Sequence, residues 1–214
     1  MTVPLESWFS DVLPLVPGCP MMVAKKAIVD SLREFCSRTQ VWEHSVAPFP
    51  VVKGVADYRL MIPKDTEIAG FLSVYHKGRP RPLTLRSTRE LDDQFPEWRT
   101  TTGLPSSFVQ FNQNGLMLDR LPQKTERDVL SCTLALKPKS TTKEVADVLY
   151  ADWKDGITYG AVKQLVIMPR KQWSAPELFD LYNNKFNIEV SRASVKARYG
   201  SGARSISVKM RRNY

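Results

Sequence analysis

Histidine is nearly absent from this chain: among 214 residues only His44 and His76 occur. Neither has a Cys, His, Asp or Glu partner at metal-ligand spacing, so both read as surface or strand residues and no metal is expected. Cysteine is scarce as well. Cys19, Cys36 and Cys132 are odd in number and far apart, which argues against a disulfide framework and for a reducing cytosol. No apolar run approaches the roughly 20 residues needed to cross a bilayer. Met1-Thr2-Val3-Pro4-Leu5-Glu6 lacks the basic and apolar regions of a signal peptide, so no membrane partner is expected. Gly-x-Ser-x-Gly, P-loop and Gly-x-Gly-x-x-Gly patterns are missing. Asp92-Asp93, and Asp152 with Asp155, remain as acid/base pairs, but adjacent or helix-surface carboxylates are usually solvated. The expectation is a non-enzyme that needs no cofactor.

Acidic residues are also missing from one particular stretch. Residues 191–214 carry seven Lys or Arg and no Asp or Glu, and so hold +7 of the chain's formal +9. The preceding 190 residues are close to balanced. A charge this lopsided points to a C-terminal arm on an ordinary globular body. The arm is patterned: Val195, Ala197 and Tyr199 alternate with Lys196 and Arg198, while Ile206, Val208 and Met210 alternate with Ser207 and Lys209. Gly200-Ser201-Gly202 divides the two runs. Period-two alternation predicts a strand or hairpin that orders on an acidic partner.

What is present in the body separates into three blocks. Pro4, Trp8, Val12 and Leu13 predict a short helix stopped by Pro14. Pro17-Gly18-Cys19-Pro20 is a sharp joint, after which Ala24, Ile28, Leu32, Phe35 and Cys36 form a helical stripe. From about Val46 to Lys137 the period changes. Phe49–Val52, Tyr58–Ile62, Ile68–Tyr75, Pro82–Leu85, Phe108–Phe111, Leu116–Leu118 and Val129–Leu136 read as strands. Turns at Lys53-Gly54, Lys77-Gly78 and Asn112-Gln113-Asn114-Gly115 cut them, which predicts a small antiparallel sandwich or barrel. Residues 87–106 read as a long loop with one helical turn, anchored by Trp98.

Helix returns after Pro138. Thr141 with Glu144, and Ser174 with Glu177, read as capping boxes. Ala146, Leu149, Trp153, Ile157, Ala161, Leu165 and Met168 mark one helical face of about six turns. Gly156 and Gly160 lie inside it, each costing about 1 kcal/mol against Ala, and so imply close approach of another backbone. The expected fold is α+β: a helical bundle formed by N- and C-terminal helices with an inserted β module and an extended basic arm. The divisions are 1–44, 45–138, 139–190 and 191–214.

The arm admits two partners. Arg198, Arg204, Lys209, Arg211 and Arg212, with Tyr199 and Tyr214, suit nucleic-acid phosphates and stacked bases. Interleaved Ile206, Val208 and Met210 suit a protein sheet edge or an acidic groove instead, and favour a protein. A hydrolase of cell wall or polysaccharide, using the paired aspartates, is the remaining alternative.

Three stretches carry a resemblance: "DVLPLVPGCP" at 11–20 with the helix ending "REFCSRTQVW", "GLPSSFVQFNQNGLMLDRLP" at 103–122, and the helical block at 134–186. In their order and combination the chain resembles the head-to-tail adaptor (connector) proteins of short-tailed bacteriophages. The resemblance implies a virion structural protein, present in the host cytoplasm during assembly. Its copies, usually twelve, would form a ring beneath the portal protein, extend the channel through which genomic DNA passes, and dock the tail nozzle or tail-tube protein. It implies a helical bundle with an inserted β-sandwich, and a C-terminal arm that reaches the portal. The arm residues at stake are Val195, Lys196, Arg198, Tyr199, Arg204, Ile206, Val208, Lys209, Met210, Arg211, Arg212 and Tyr214. Gly156 and Gly160 would mark close helix packing, within one copy or between neighbours.

Overall fold

Gly18 turns the Pro-Gly-Cys-Pro joint at φ +83°, a left-handed backbone that glycine adopts without strain. The computed structural model, which describes residues 2–199, has helical backbone on both sides of this joint. A short strand, β1 (Thr2–Pro4), leads into a 3-10 turn at Leu5–Trp8, helix α1 (Phe9–Val12) and another 3-10 turn at Leu13–Leu15. Pro14 sits at the start of that last turn, where a missing N–H is harmless, so it does not stop the helical path as the sequence suggests. Helix α2 (Met21–Thr39) follows Pro20 and ends on Gln40 at φ 57°.

A strand forms at each of the seven expected runs, though β2 starts six residues early and β3 and β5 keep only two of the expected residues: β2 (Glu43–Val51), β3 (Asp57–Arg59), β4 (Thr66–His76), β5 (Thr84–Leu85), β6 (Ser107–Phe111), β7 (Gly115–Leu118) and β8 (Glu126–Pro138). They make two sheets. One has the order β2-β8-β4, antiparallel throughout; the other has the order β3-β7-β6-β5, in which β5 runs parallel to β6. Among the described residues the strands close no barrel, because each sheet keeps two free edges. Side chains from both sheets share one core, with the Phe71 and Phe108 rings edge-to-face at 5.1 Å. Within 87–106 lies helix α3 (Thr88–Gln94). A capping box opens it inside the expected loop: Glu90 N–H donates to Ser87 Oγ at 3.2 Å, and Ser87 N–H to Glu90 Oε2 at 2.8 Å. Trp98, with Leu91 and Val109, anchors this segment in a small third core.

The final strand, β9 (Glu144–Ala146), pairs with β1. It replaces the first expected capping box, since Glu144 is extended and its carboxylate accepts from Thr2 Oγ1 at 2.6 Å. Helix α4 (Asp147–Val166) then bends at Trp153, whose φ of −128° leaves the helical range. The second expected box also fails: Ser174 Oγ turns back to the Val166 carbonyl, and a 3-10 turn at Pro176–Leu178 opens helix α5 (Phe179–Tyr199). α2, α4 and α5 pack around one apolar core that includes Ile28, Leu32, Phe35, Ile157, Ala161, Leu165, Tyr182 and Phe186. Trp42 touches both this core and that of the sheets. Arg33 ties the two together, donating to the Pro138 carbonyl at 2.6 Å and pairing with Glu67 at 3.1 Å.

The three cysteines are buried in these cores and unpaired. Burial pushes the Cys36 and Cys132 thiols up to about 12, and raises Cys19 as well. The thiolate is the reactive form. Native protein at neutral pH should therefore resist a thiol reagent, with all three reacting once denaturant is added. Rapid labelling of Cys36 or Cys132 under native conditions would contradict this packing.

His76 ends β4, nearly buried, and its Nδ1 accepts from the Gly78 N–H at 3.0 Å. Desolvation holds its pKa below the ordinary 6.5, with nearby Arg79 acting in the same direction and Glu126 opposing. The unfolded chain therefore binds the proton more readily. Stability from this group is present above the ordinary value and is lost as pH falls toward the lower folded one. His76→Asn should lose less stability than the parent between about pH 7 and about pH 5 in urea titrations. Equal losses would show that His76 titrates normally.

Candidate functional site

The cationic residues 191–199 continue α5 as helix. Tyr182, Phe186, Val190 and Ala193, at steps of four and three, are buried against the other helices and carry the helical period past the expected boundary at residue 190. Lys196 fixes the last turn: Nζ bonds Asp152 Oδ2 at 2.8 Å and lies 5.4 Å from the Trp153 ring centre. The strand expected at Val195–Tyr199 is thus a correction. Val195 and Tyr199 are also one helical turn apart, so so short an alternation fits either period, and burial of the preceding residues decides. Arg204, Ile206, Val208, Lys209, Met210, Arg211, Arg212 and Tyr214 lie outside the described residues, as does the expected strand there.

Val195 and Tyr199 are exposed, as is Arg198. Arg198, Ala197 and Ser194 line a cleft of about 260 Å³ together with Arg38, Thr39, Gln40, Glu43, Leu72 and Thr133. The cleft lies where the end of α5 passes the end of α2 and the β2-β8-β4 sheet. Arg38 is held in place by Glu34 at 3.2 Å and by the Asn187 side chain at 3.0 Å, with its guanidinium 5.5 Å from the Phe186 ring centre. Among the described residues Glu43 is the one acidic side chain lining the cleft. Sequence reading did not find Arg38, Gln40 or Glu43. Each is far from the arm in sequence, and nothing but the helix packing brings them beside Arg198.

Gly156 and Gly160 sit where α4 meets α2 and α5. A Cβ on Gly160 would overlap Ser31 Oγ and come within 2.7 Å of the Phe186 ring; on Gly156 it would come within 3.0 Å of Phe35 and of Glu189 Cβ. The close approach is made to side chains of the same chain. Ser31 Oγ donates to the Ile157 carbonyl at 2.7 Å, in the middle of this crossing.

No family model and no curated protein matches this chain.

One aspartate of each pair, Asp92 and Asp152, is bonded to neighbouring side chains. Asp92 accepts from Arg99 at 2.6 Å and from Trp98 Nε1 at 2.8 Å, and these bonds hold its carboxyl below the usual carboxylate range. Asp152 is bonded to Lys196 and, with Asp155, lines a shallow exposed cleft beside Lys154, Glu189 and Arg192. Among the described residues no group of three or more His, Cys, Asp or Glu is placed to hold a metal. None of their helices is long and apolar enough to cross a membrane.

Proposed function

We propose that this chain is a non-enzymatic virion protein: a head-to-tail adaptor whose copies form a ring beneath a portal, extend the DNA channel and present a docking surface for the tail nozzle or tail tube. In this reading the helices are a bundle and the inserted β module is a sandwich. The observation that carries it is the end of α5. A helix rooted in the common core by Tyr182, Phe186, Val190 and Ala193 delivers an exposed cationic last turn, Lys196 to Tyr199, to the surface beside Arg38. The remaining basic residues follow directly in sequence. Such an anchor, repeated around a ring, multiplies modest individual contacts through avidity.

The reading is tested by imaging the purified protein mixed with portal-bearing, DNA-filled capsids. Ring-shaped density at the portal vertex is expected; capsids that stay bare at saturating protein would overturn it. Nucleic-acid binding is the second reading, favoured by Arg38 and Arg198 lining one cleft. Phosphate binding would show a steep loss of affinity between low and moderate salt, in proportion to the number of phosphates neutralised.

A further inference from the structure

α5 has two apolar faces. Tyr182, Phe186, Val190 and Ala193 are buried in the helical core. Leu181, Ile188, Val195 and Tyr199 remain 48%, 59%, 41% and 58% exposed. At about 100° of turn per residue the two sets are centred roughly 150° apart, so the second set points away from the body. Leu181, Ile188 and Val195 recur every seven residues, with Asn184, Ser191 and Arg198 at the intervening positions. Seven residues is the heptad repeat of a packed helix pair, here with one apolar and one polar residue per heptad along the face. Apolar side chains aligned in this way differ from the singly scattered ones that every surface carries.

We propose that this seam packs against the same seam of a second copy, antiparallel, about a two-fold axis at Ile188. With Ile188 facing its counterpart, Leu181 of one copy faces Val195 of the other, and the relation holds in both directions as a two-fold contact requires. Charge selects the antiparallel direction. The N-terminal end of α5 is acidic, with Glu177 just before the helix and Asp180 in its first turn, whereas its last turn carries Lys196 and Arg198. Antiparallel packing sets Asp180 of one copy beside Arg198 of the other on the same flank, and opposes the two helix dipoles. A parallel pair would leave Asp180 and Arg198 at opposite ends of the contact and lose this pairing. The other flank holds Lys185 and Arg192, both already engaged: Arg192 bonds Glu189 at 2.7 Å, and Lys185 lies 5.2 and 5.7 Å from the Tyr159 and Tyr182 rings. The proposal concerns the free protein and does not rest on the adaptor reading.

Cysteine cross-linking of the full chain reads out both the contact and its direction, since the native cysteines are buried. Under mild oxidation Ile188→Cys is expected to form a disulfide-linked dimer. Val195→Cys alone should not, but should cross-link to a differently tagged Leu181→Cys. In sedimentation equilibrium the parent should be a dimer that Ile188→Lys converts to monomer with its circular dichroism unchanged. Asp180→Lys should weaken the dimer about tenfold, and adding Arg198→Glu to the same chain should restore it. A monomer at every concentration, efficient Val195→Cys self-linking, or a ladder of oligomers beyond the dimer would each overturn the proposal.

Discussion

Phe186→Ala is expected to lower the unfolding free energy by about 3–5 kcal/mol, the range for removing a fully enclosed aromatic ring. No part of Phe186 is exposed. Its ring lies 6.1 Å from that of Phe35 on α2, and it occupies the space that the missing side chain of Gly160 leaves on α4. Lys163 Nζ sits 4.0 Å above its centroid and 2.9 Å from Glu34, one of few cations drawn this far into the interior. Deleting the ring opens a cavity where three helices meet and leaves the ammonium without its aromatic neighbour. Gly160→Ala should be destabilising on its own, because the added methyl overlaps Ser31 and the ring. The two changes should be non-additive, with the double variant more stable than the summed losses, since removing the ring relieves one of the two clashes. Urea unfolding of the four proteins checks this. A loss below about 1 kcal/mol for Phe186→Ala would mean that α5 is not rooted where the core places it.

Ending the chain at Tyr199 is expected to abolish docking on portal-bearing capsids while leaving the fold and its thermal midpoint intact. The cut removes Arg204, Lys209, Arg211 and Arg212, four of the seven cations in the basic stretch, with Ile206, Val208 and Met210 between them. Ending it at Val190 is a different experiment. It deletes Ala193 from the core and the Lys196–Asp152 bond, and so should lower stability as well as docking. Co-sedimentation and thermal unfolding of the two truncations, side by side, separate anchor from scaffold. Docking at full strength by the chain ending at Tyr199 would remove the terminal residues from the proposal. Ile206→Ser with Val208→Ser, every charge kept, tells whether the apolar members matter beyond electrostatics: unchanged docking leaves charge alone.

Local periodicity made much of the body legible. The stripe Ala24, Ile28, Leu32, Phe35 and the seven short runs rich in branched and aromatic residues became α2 and β2 to β8; in α2, β4, β6, β7 and β8 apolar positions of the pattern are buried, whereas both residues of β5 are exposed. Trp98 was readable as an anchor because a large ring in a polar stretch has few reasons to be there. The capping boxes were less readable. Thr141 and Glu144 have the right spacing, yet β1 was free to pair with residues 144–146, and backbone pairing outweighed a cap; Ser87 and Glu90 made a real box in what reads as a loop.

Charge asymmetry, the two spaced glycines and the helix–sheet–helix order are properties of the chain itself, fixed by residue type and spacing. Where α5 ends was decided in three dimensions. Val195 to Tyr199 fits a strand or a helix equally, and burial of Val190 and Ala193 with the Asp152 and Trp153 contacts of Lys196 selected the helix. The same holds for the cleft that joins Arg38 and Glu43 to Arg198, and for the outward seam at Leu181, Ile188 and Val195. Amphipathic spacing shows that a helix has an apolar face, but which of two faces is buried depends on what packs beside it.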